Sequence, residues 1–581
     1  MDKKWQLLDA PPAGIIDRFP HIDPIGVALL VRRGLADQEA IDEFLNPDYA
    51  EDTHDPFLFR QMKEAVERLF LSIRNDEQIT IHGDYDADGL SGAVILFSTL
   101  EYLGAKKINV YLPDREREGY GLNANTVSYL HGQGTKLIIT CDCGISNAEE
   151  IDTARTLGMD VIVTDHHTQK NKLPSAILLH PKVEGETYPF KDLAGGGVAF
   201  KFAQALLRTA AGNDLTVTAK NEAFEKWLLD MVAISSVADM VPLIGENRTL
   251  VKYGLTVLSK ARRPGLRAIM ATAGIWPAKN GREPKMTATD IGFTIAPRLN
   301  AAGRMDHANA AFAAVMAKEQ NQAAVLAETL EKTNRSRQTV TEKIMAAALS
   351  QIGDIGERKP QVITVYDADW SVGVAGLIAS RLIEKFYLPV FVFGEINGKI
   401  AGSGRGIEGF DCTAALQATN DLYLKYGGHP AACGLTLADN SKLDEFKQRM
   451  NAFAATVLTS DHLQPRLLID EELPISRIQW PLQELLQSFE PFGMGNPQPK
   501  FLSRRVEIVE MAAIGQQKNH LRLVVTQDHQ VFRKMIGFRF GQWIELLRVG
   551  AKIDIVYTIE VNEWNGNREL QLKLVDLRLS E

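Results

Sequence analysis

One histidine and three aspartates within seven residues, His82, Asp84, Asp86 and Asp88, are the densest chemistry in this 581-residue chain. They follow the β-rich run Ile79-Thr-Ile81 and precede Gly89 and an apolar segment. Carboxylates this close repel one another and cost stability unless cations or basic partners offset the charge. Oxygen ligands suit Mg2+ or Mn2+, and one imidazole tilts the choice towards Mn2+. The twelve-residue ligand frame of an EF-hand, with its terminal Glu, is absent. Further acids stand in Cys141-Asp-Cys-Gly144 and Asp165-His-His167, and Asp239 ends an apolar run shortly before Pro242. Asp86, Asp88, Asp142, His166 and Asp239 form a ligand set for two close cations, which orient and deprotonate a water while neutralising a phosphodiester. Cys141 and Cys143 flank Asp142, point away from it in an extended chain, and are expected in the packing. No CxxC pair supports a zinc site.

These residues need a scaffold that gathers distant segments. From 78 to about 240, strand-like runs at 79–81, 108–112, 137–140, 161–164 and 176–179 alternate with helical runs at 90–103, 123–130, 146–157 and 198–207. That alternation predicts an α/β fold with a mostly parallel, doubly wound sheet. Ligands collect at the carboxyl ends of such strands, where three successive junctions deliver acids and histidines to one crevice. We expect this catalytic domain over 76–304, preceded by an N-terminal helical segment over 1–75 with helices at 27–32, 37–45 and 61–73. The stretch 305–352 holds neither Gly nor Pro. A long connecting helix over 305–355, roughly 60 Å in length, is predicted to join two lobes; the alternative is two helices with a bend near Asn334. A second α/β domain is expected over 356–464, with strands at 362–366, 390–393 and 400–403 and helices at 374–386 and 443–456. Short alternating strands at 505–509, 521–526, 532–536, 552–559 and 570–577 predict a small OB-fold-like β-barrel over 465–581.

Composition agrees with such a chain. Its length suggests about four domains, and 45% apolar with 24% charged residues is ordinary for a globular protein. Four cysteines exclude a disulfide scaffold, and neither a signal peptide nor a membrane span is expected. A net charge of −9 disfavours wholesale coating of nucleic acid and leaves room for a local basic groove.

Asp84-Tyr-Asp-Ala-Asp-Gly89, Asp165-His-His167 and Val237-Ala-Asp-Met240 resemble the successive metal motifs of the DHH phosphoesterase superfamily. Ala296-Pro-Arg-Leu-Asn-Ala-Ala-Gly-Arg-Met305 and Gly427-Gly-His-Pro-Ala-Ala-Cys-Gly434 resemble segments of its single-strand-specific DNA exonuclease branch, the latter matching the Gly-Gly-His signature of a DHHA1-type second domain. The resemblance covers Gly83 to about Leu577 and implies a bacterial enzyme that hydrolyses single-stranded DNA 5′→3′, releases 5′ mononucleotides and uses two divalent cations, Mn2+ or Mg2+. It implies Asp86 as a ligand of the first cation with His82 and Asp84 nearby, Asp88, His166 and Asp239 on the second, and Asp142 bridging both. It places His167 beside the scissile phosphate, so that His167, Asp142 and Asp84 are the expected catalytic residues. It raises Ser403, Arg405 and His429 to binders of phosphate or the 5′ end. Ser371 in Asp369-Trp-Ser-Val-Gly373 is similarly placed at a strand–helix junction, and Arg298 and Arg304 are expected phosphate contacts, with ion pairing as their alternative role. In the barrel, Arg522, Arg533, Lys534 and Trp564 are expected along a single-strand track, because basic and ring side chains suit backbone tracking and base stacking.

The partner expected is therefore single-stranded DNA, with a single-strand-binding protein and a RecQ-type helicase alongside; the chain is expected to be a monomer of the bacterial cytoplasm. Two other readings stand beside this one. A phosphodiesterase for oligoribonucleotides or cyclic dinucleotides would not need the barrel and the helical preamble, and a non-catalytic single-strand-binding protein would not need an acid at every junction.

Overall fold

In a computed structural model, the described residues are 3–115, 117–169, 172–210, 218–278, 283–353, 361–564 and 567–580, without the side chain of Trp564. They form two compact units. The first comprises 49–241 and 249–465; the second comprises 3–48, 242–248 and 466–581.

The first unit contains the expected parallel sheet, ordered Ile108–Tyr111, Gln78–Gly83, Thr135–Cys141, Asp160–Thr164, Ile177–Leu179. Its strands are covered on both faces, so Ile79, Ile81, Leu137, Ile138, Ile139 and Ile162 are buried in near-continuous apolar runs. Helix Ala87–Tyr102 starts directly after the first acids. Asp86 caps it by accepting from the Asp88 and Gly89 amides, as a carboxylate at a helix N-terminus should. Gly89 is required there, since a Cβ would lie 2.4 Å from the Asp84 nitrogen.

The predicted connecting helix is shorter than its composition suggests. It runs Gln320–Ile352, 33 residues and about 50 Å, and passes through Asn334 without a break. The breaks fall earlier, between Ala296–Met305, Asn309–Met316 and Gln320–Ile352. Propensity does not see them; next to the second break the carbonyls of Ala314 and Val315 close so tightly on Gly265 that a Cβ there would lie 2.0 Å from the first. The C-terminal part of the long helix buries Ile344 and Ala348 against Ile363, Val365 and Val374 of the second α/β lobe. That lobe's sheet is ordered Tyr423–His429, Ala432–Leu437, Lys399–Arg405, Val390–Ile396, Ile363–Tyr366. Its glycine-rich segments are strand interior. At Gly404 a Cβ would lie 2.4 Å from the Phe391 ring, so this glycine admits a neighbouring side chain.

The second unit is built on a closed barrel, Phe501–Ile514, His520–Thr526, Phe532–Gly537, Asn567–Leu579, Lys552–Trp564 and back to the first strand. Inward residues such as Val506, Ile508, Leu521, Leu523, Ile553 and Leu572 alternate with outward ones and fill its core. The expected N-terminal helical segment divides. Helices Pro24–Arg32 and Gln38–Leu45 bury Val27, Leu29, Leu30 and Phe44 in the barrel unit, whereas Met62–Arg74 belongs to the first unit. Strand Lys4–Leu7 pairs in parallel with Arg466–Ile469. Arg248, fully buried, donates to the carbonyls of Phe44, Ser488, Phe489 and Glu490 at 2.8–2.9 Å and lies over the Phe44 ring. No described helix is long and apolar enough to cross a membrane.

Candidate metal centre

The acids sit where the parallel sheet ends. Asp84 and Asp86 occupy the turn after Gln78–Gly83, Asp142 follows Thr135–Cys141 with φ +61°, and His166 and His167 follow Asp160–Thr164. Asp239 caps the C-terminal end of helix Leu229–Ala238. Three groups have ligand atoms within 4.8 Å of one another: Asp84, Asp86 and Asp142; Asp88, His166 and Asp239; Asp142, His166 and His167. His166 Nε2 lies 3.1 Å from Asp142 Oδ1, 3.6 Å from Asp239 Oδ2 and 3.8 Å from Asp88 Oδ2. Asp142 belongs to two of the groups, the placement a bridging carboxylate needs. Among the described residues His82 joins none of them. Its ring stacks on Tyr111 and its Nδ1 is 3.6 Å from Cys143 Sγ.

A divalent cation fits this donor set. His82 Nε2, Asp84 Oδ1, Asp142 Oδ1 and His166 Nε2 are buried without hydrogen bonds, which is costly for polar atoms that have no ligand to meet. Burial, then mutual repulsion, pushes the Asp84, Asp86 and Asp142 carboxyls up, and Asp239 to about 8. Burial holds the His82 and His166 imidazoles down at about 4, in the neutral form that binds metal. Oxygen donors with imidazole match Mn2+ or Mg2+. Cys141 and Cys143 are buried free thiols, and burial pushes both upward, away from the thiolate a soft metal would need.

Several supporting groups escaped the sequence reading. The Asp88 carboxylate accepts from the Gly195 and Gly196 amides at 2.8 and 2.7 Å and from Ser235 Oγ at 2.5 Å; the Gly195-Gly-Gly197 run was the available signal. Asp165 Oδ1 accepts from the His166 and His167 amides and lies 2.9 Å from His167 Nδ1, while its Oδ2 accepts from the Ile145 amide. Tyr120 donates to the Asp142 carbonyl and its hydroxyl is 3.0 Å from His167 Nδ1. Although burial lowers the His167 pKa, the Asp165 hydrogen bond and charge outweigh it and raise it to about 9.

The second lobe brings part of the expected phosphate set to the same place. The His429 and His167 rings are nearly parallel with centroids 6.4 Å apart. Arg304 donates to the Gly373 carbonyl, and burial, then the Arg115 charge, lowers its pKa to about 9. Arg405 donates to the Gly404 carbonyl and packs against Gly376. Ser403 lies in Lys399–Arg405, and Ser371 precedes the short turn Val372–Val374. Arg115, absent from the sequence reading, lies over the Tyr85 ring, and its charge reaches Asp84, Asp86, Arg304 and Arg405. Arg298 is paired at 2.8 Å with Glu331 of the long helix. On the barrel Arg522 is exposed, Lys534 pairs with Glu569, and Arg533 donates to the Phe532 and Ile478 carbonyls. The Trp564 side chain lies outside the described residues. A groove there is lined instead by Trp480, Phe532 and Lys534, with Arg568 over the Trp480 ring.

Comparison with known proteins follows the same division. Residues 78–235 match the DHH family N-terminal domain, 359–456 the DHHA1 domain and 469–576 the RecJ OB domain. The single-stranded-DNA-specific exonuclease RecJ of Bacillus subtilis (strain 168) is 35% identical over 564 residues, covering 97% of this chain and 69% of the relative. The RecJ of Escherichia coli (strain K12) is 32% identical over 524 residues, covering 88% and 89%. A crystal structure of RecJ in complex with Mn2+ from Thermus thermophilus superposes with a TM-score of 0.83 at 28% identity, over 100% of this chain and 80% of that one; its Mg2+ complex gives 0.77. With three domains in that order and relatives matched along most of their length, this chain belongs to the RecJ family of single-stranded-DNA-specific exonucleases.

Proposed function

We propose that the chain hydrolyses single-stranded DNA from the 5′ end and releases 5′ mononucleotides, in DNA repair and recombination. One observation carries this reading: acids and histidines from separate junctions converge with buried atoms left without hydrogen bonds, beside guanidinium groups that suit a phosphate chain. Asp84, Asp86 and Asp142 would hold one cation and Asp88, His166 and Asp239 the other, with Asp142 shared. Divalent cations bound there supply Lewis acidity to the phosphate and acidify water. Asp165 and Tyr120 fix His167 at Nδ1, leaving its Nε2 to donate to a phosphate oxygen or the departing oxygen. Arg405, Arg304, Ser403, Ser371 and His429 would grip the phosphates at the 5′ end.

A crevice of one strand's width between the two α/β lobes, where the His167 and His429 ring centroids are 6.4 Å apart, would admit single strands and not a duplex. Specificity then follows from strand number, with no base reading. The closed barrel supports an extended polymer over a dinucleotide substrate. An enzyme that takes one strand depends on others to separate and hold strands, hence a RecQ-type helicase and a single-strand-binding protein as partners of a monomer in the bacterial cytoplasm. The test is a strand labelled at either end, single or annealed, incubated with Mn2+ or Mg2+. Mononucleotides from a 5′ label at the earliest times, from the single strand alone, are expected; internal fragments or 3′-first loss would overturn the polarity.

A further inference from the structure

Ahead of Arg298 the backbone widens into a π-turn, Ile291–Ile295. Ile291 and Ile295 are buried, whereas Phe293 between them is 81% exposed, more than any other large apolar side chain among the described residues. A π-turn is a rare insertion into helix and is frequent at functional sites. Here it turns a phenyl ring into water, forgoing the stabilisation that burial would bring. The turn and the helix Ala296–Met305 that follows it lie beside both halves of the acid cluster. Gly292 lies against Val237, a built Cβ falling 3.9 Å from its Cγ1, two residues before Asp239. Further along the same segment, Asn300 Oδ1 accepts the Ala87 amide between Asp86 and Asp88 at 2.7 Å, and a Cβ on Gly303 would lie 2.5 Å from the Tyr85 carbonyl oxygen. Met240, next to Asp239, is also exposed, at 64%, in the left-handed backbone region with φ +60°.

An exposed ring and a thioether thus lie on segments that adjoin the ligands. Carboxylates and guanidinium groups serve the phosphates and offer a base no apolar face. An unpaired base has such a face to give, whereas a paired base has both faces taken by its neighbours in the duplex. We propose that Phe293 stacks on an unpaired base of the strand being cleaved, with Met240 as a second apolar contact, so that this turn helps to select single strands. The proposal rests on single-stranded DNA being the substrate. Base–aromatic stacking of this kind is worth roughly tenfold or more in affinity.

The test uses the full chain, Phe293→Ala, Phe293→Trp and Phe293→Leu variants, and single strands carrying 2-aminopurine or an abasic nucleotide at successive positions from the 5′ end. With the parent enzyme in Ca2+, one 2-aminopurine position should be quenched on binding. Phe293→Trp should keep that quench; Phe293→Ala and Phe293→Leu should lose it. In Mn2+, KM for Phe293→Ala should rise about tenfold with kcat little changed, and an abasic nucleotide at the quenched position should erase the difference from the parent. An unchanged quench and KM in a folded Phe293→Ala protein would overturn the proposal and leave the ring as a protein-docking residue. An equal KM rise on normal and abasic strands would overturn it in favour of a backbone effect. If the parent neither binds nor cleaves single strands, the substrate reading itself fails and the stacking role falls with it. A parent that cleaves normally with no quenched position removes the stacking role alone.

Discussion

Asp165 Oδ1 and His167 Nδ1 are 2.9 Å apart, and the same oxygen accepts the backbone amides of both His166 and His167. One buried carboxylate therefore sets the direction of the two histidines, one towards Asp142, Asp88 and Asp239, the other towards His429. Asp165→Asn keeps the size and loses the charge. It should lower kcat or metal affinity by about 10- to 100-fold, the usual cost of removing a group that orients ligands. Metal analysis beside kinetics separates the two effects; full activity with both ions bound would show that His167 needs no such partner.

The acid cluster imposes a stability penalty on the cation-free protein. Asp239→Asn should raise the melting temperature in chelator by removing a carboxyl whose ionised form is disfavoured by burial, then by the Asp88 and Asp86 charges, and should shrink the rise that Mn2+ produces. For the parent, each ion at about a hundredfold over its Kd should add about 2.7 kcal/mol of stability. Calorimetry with and without Mn2+ checks both. A variant that melts lower in chelator would mean that repulsion at Asp239 is already compensated.

Asp142→Ala should abolish cleavage in a folded protein, since the one carboxylate shared between two ligand groups is lost. Zinc held by Cys141 and Cys143 in the purified protein would contradict the whole ligand assignment.

Arg298 and Arg405 should separate cleanly. Arg298 is largely buried against Glu331, which also pairs with Arg335 at 2.7 Å, so Arg298→Ala removes one of two guanidinium partners and should lower the melting temperature. Arg405→Ala and His429→Ala should instead raise KM and weaken discrimination between 5′-phosphate and 5′-hydroxyl ends at near-normal melting temperature. Unchanged kinetics on both ends would remove the second pair from the 5′ site.

Deleting 466–581 alone should destabilise the remainder, because Val27, Leu29, Leu30 and Phe44 would lose their core. Deleting 3–48 with 466–581 should leave a folded catalytic unit that keeps short strands and loses long ones, with a shallower salt dependence. Equal losses for short and long strands would assign the barrel to support.

Much of this protein was legible in its sequence. Acids at the ends of β-rich runs specified the metal chemistry, because a parallel sheet brings strand ends together whatever the details of packing. Alternation of strand and helix likewise specified the three domains, since periodicity is local and the cores follow from it. Other features depended on which segments meet. Asp165 reads as one more acid until its carboxylate is seen receiving three backbone N–H groups. Nothing in the local sequence marks Phe293, which the π-turn points outward. The helix breaks before Gln320 lie in sequence that favours helix, and composition gives no sign of them. The first 48 residues give no sign that their apolar face is covered by a barrel more than 400 residues later. Contacts between segments so far apart follow from the shapes of finished surfaces, which no local pattern records.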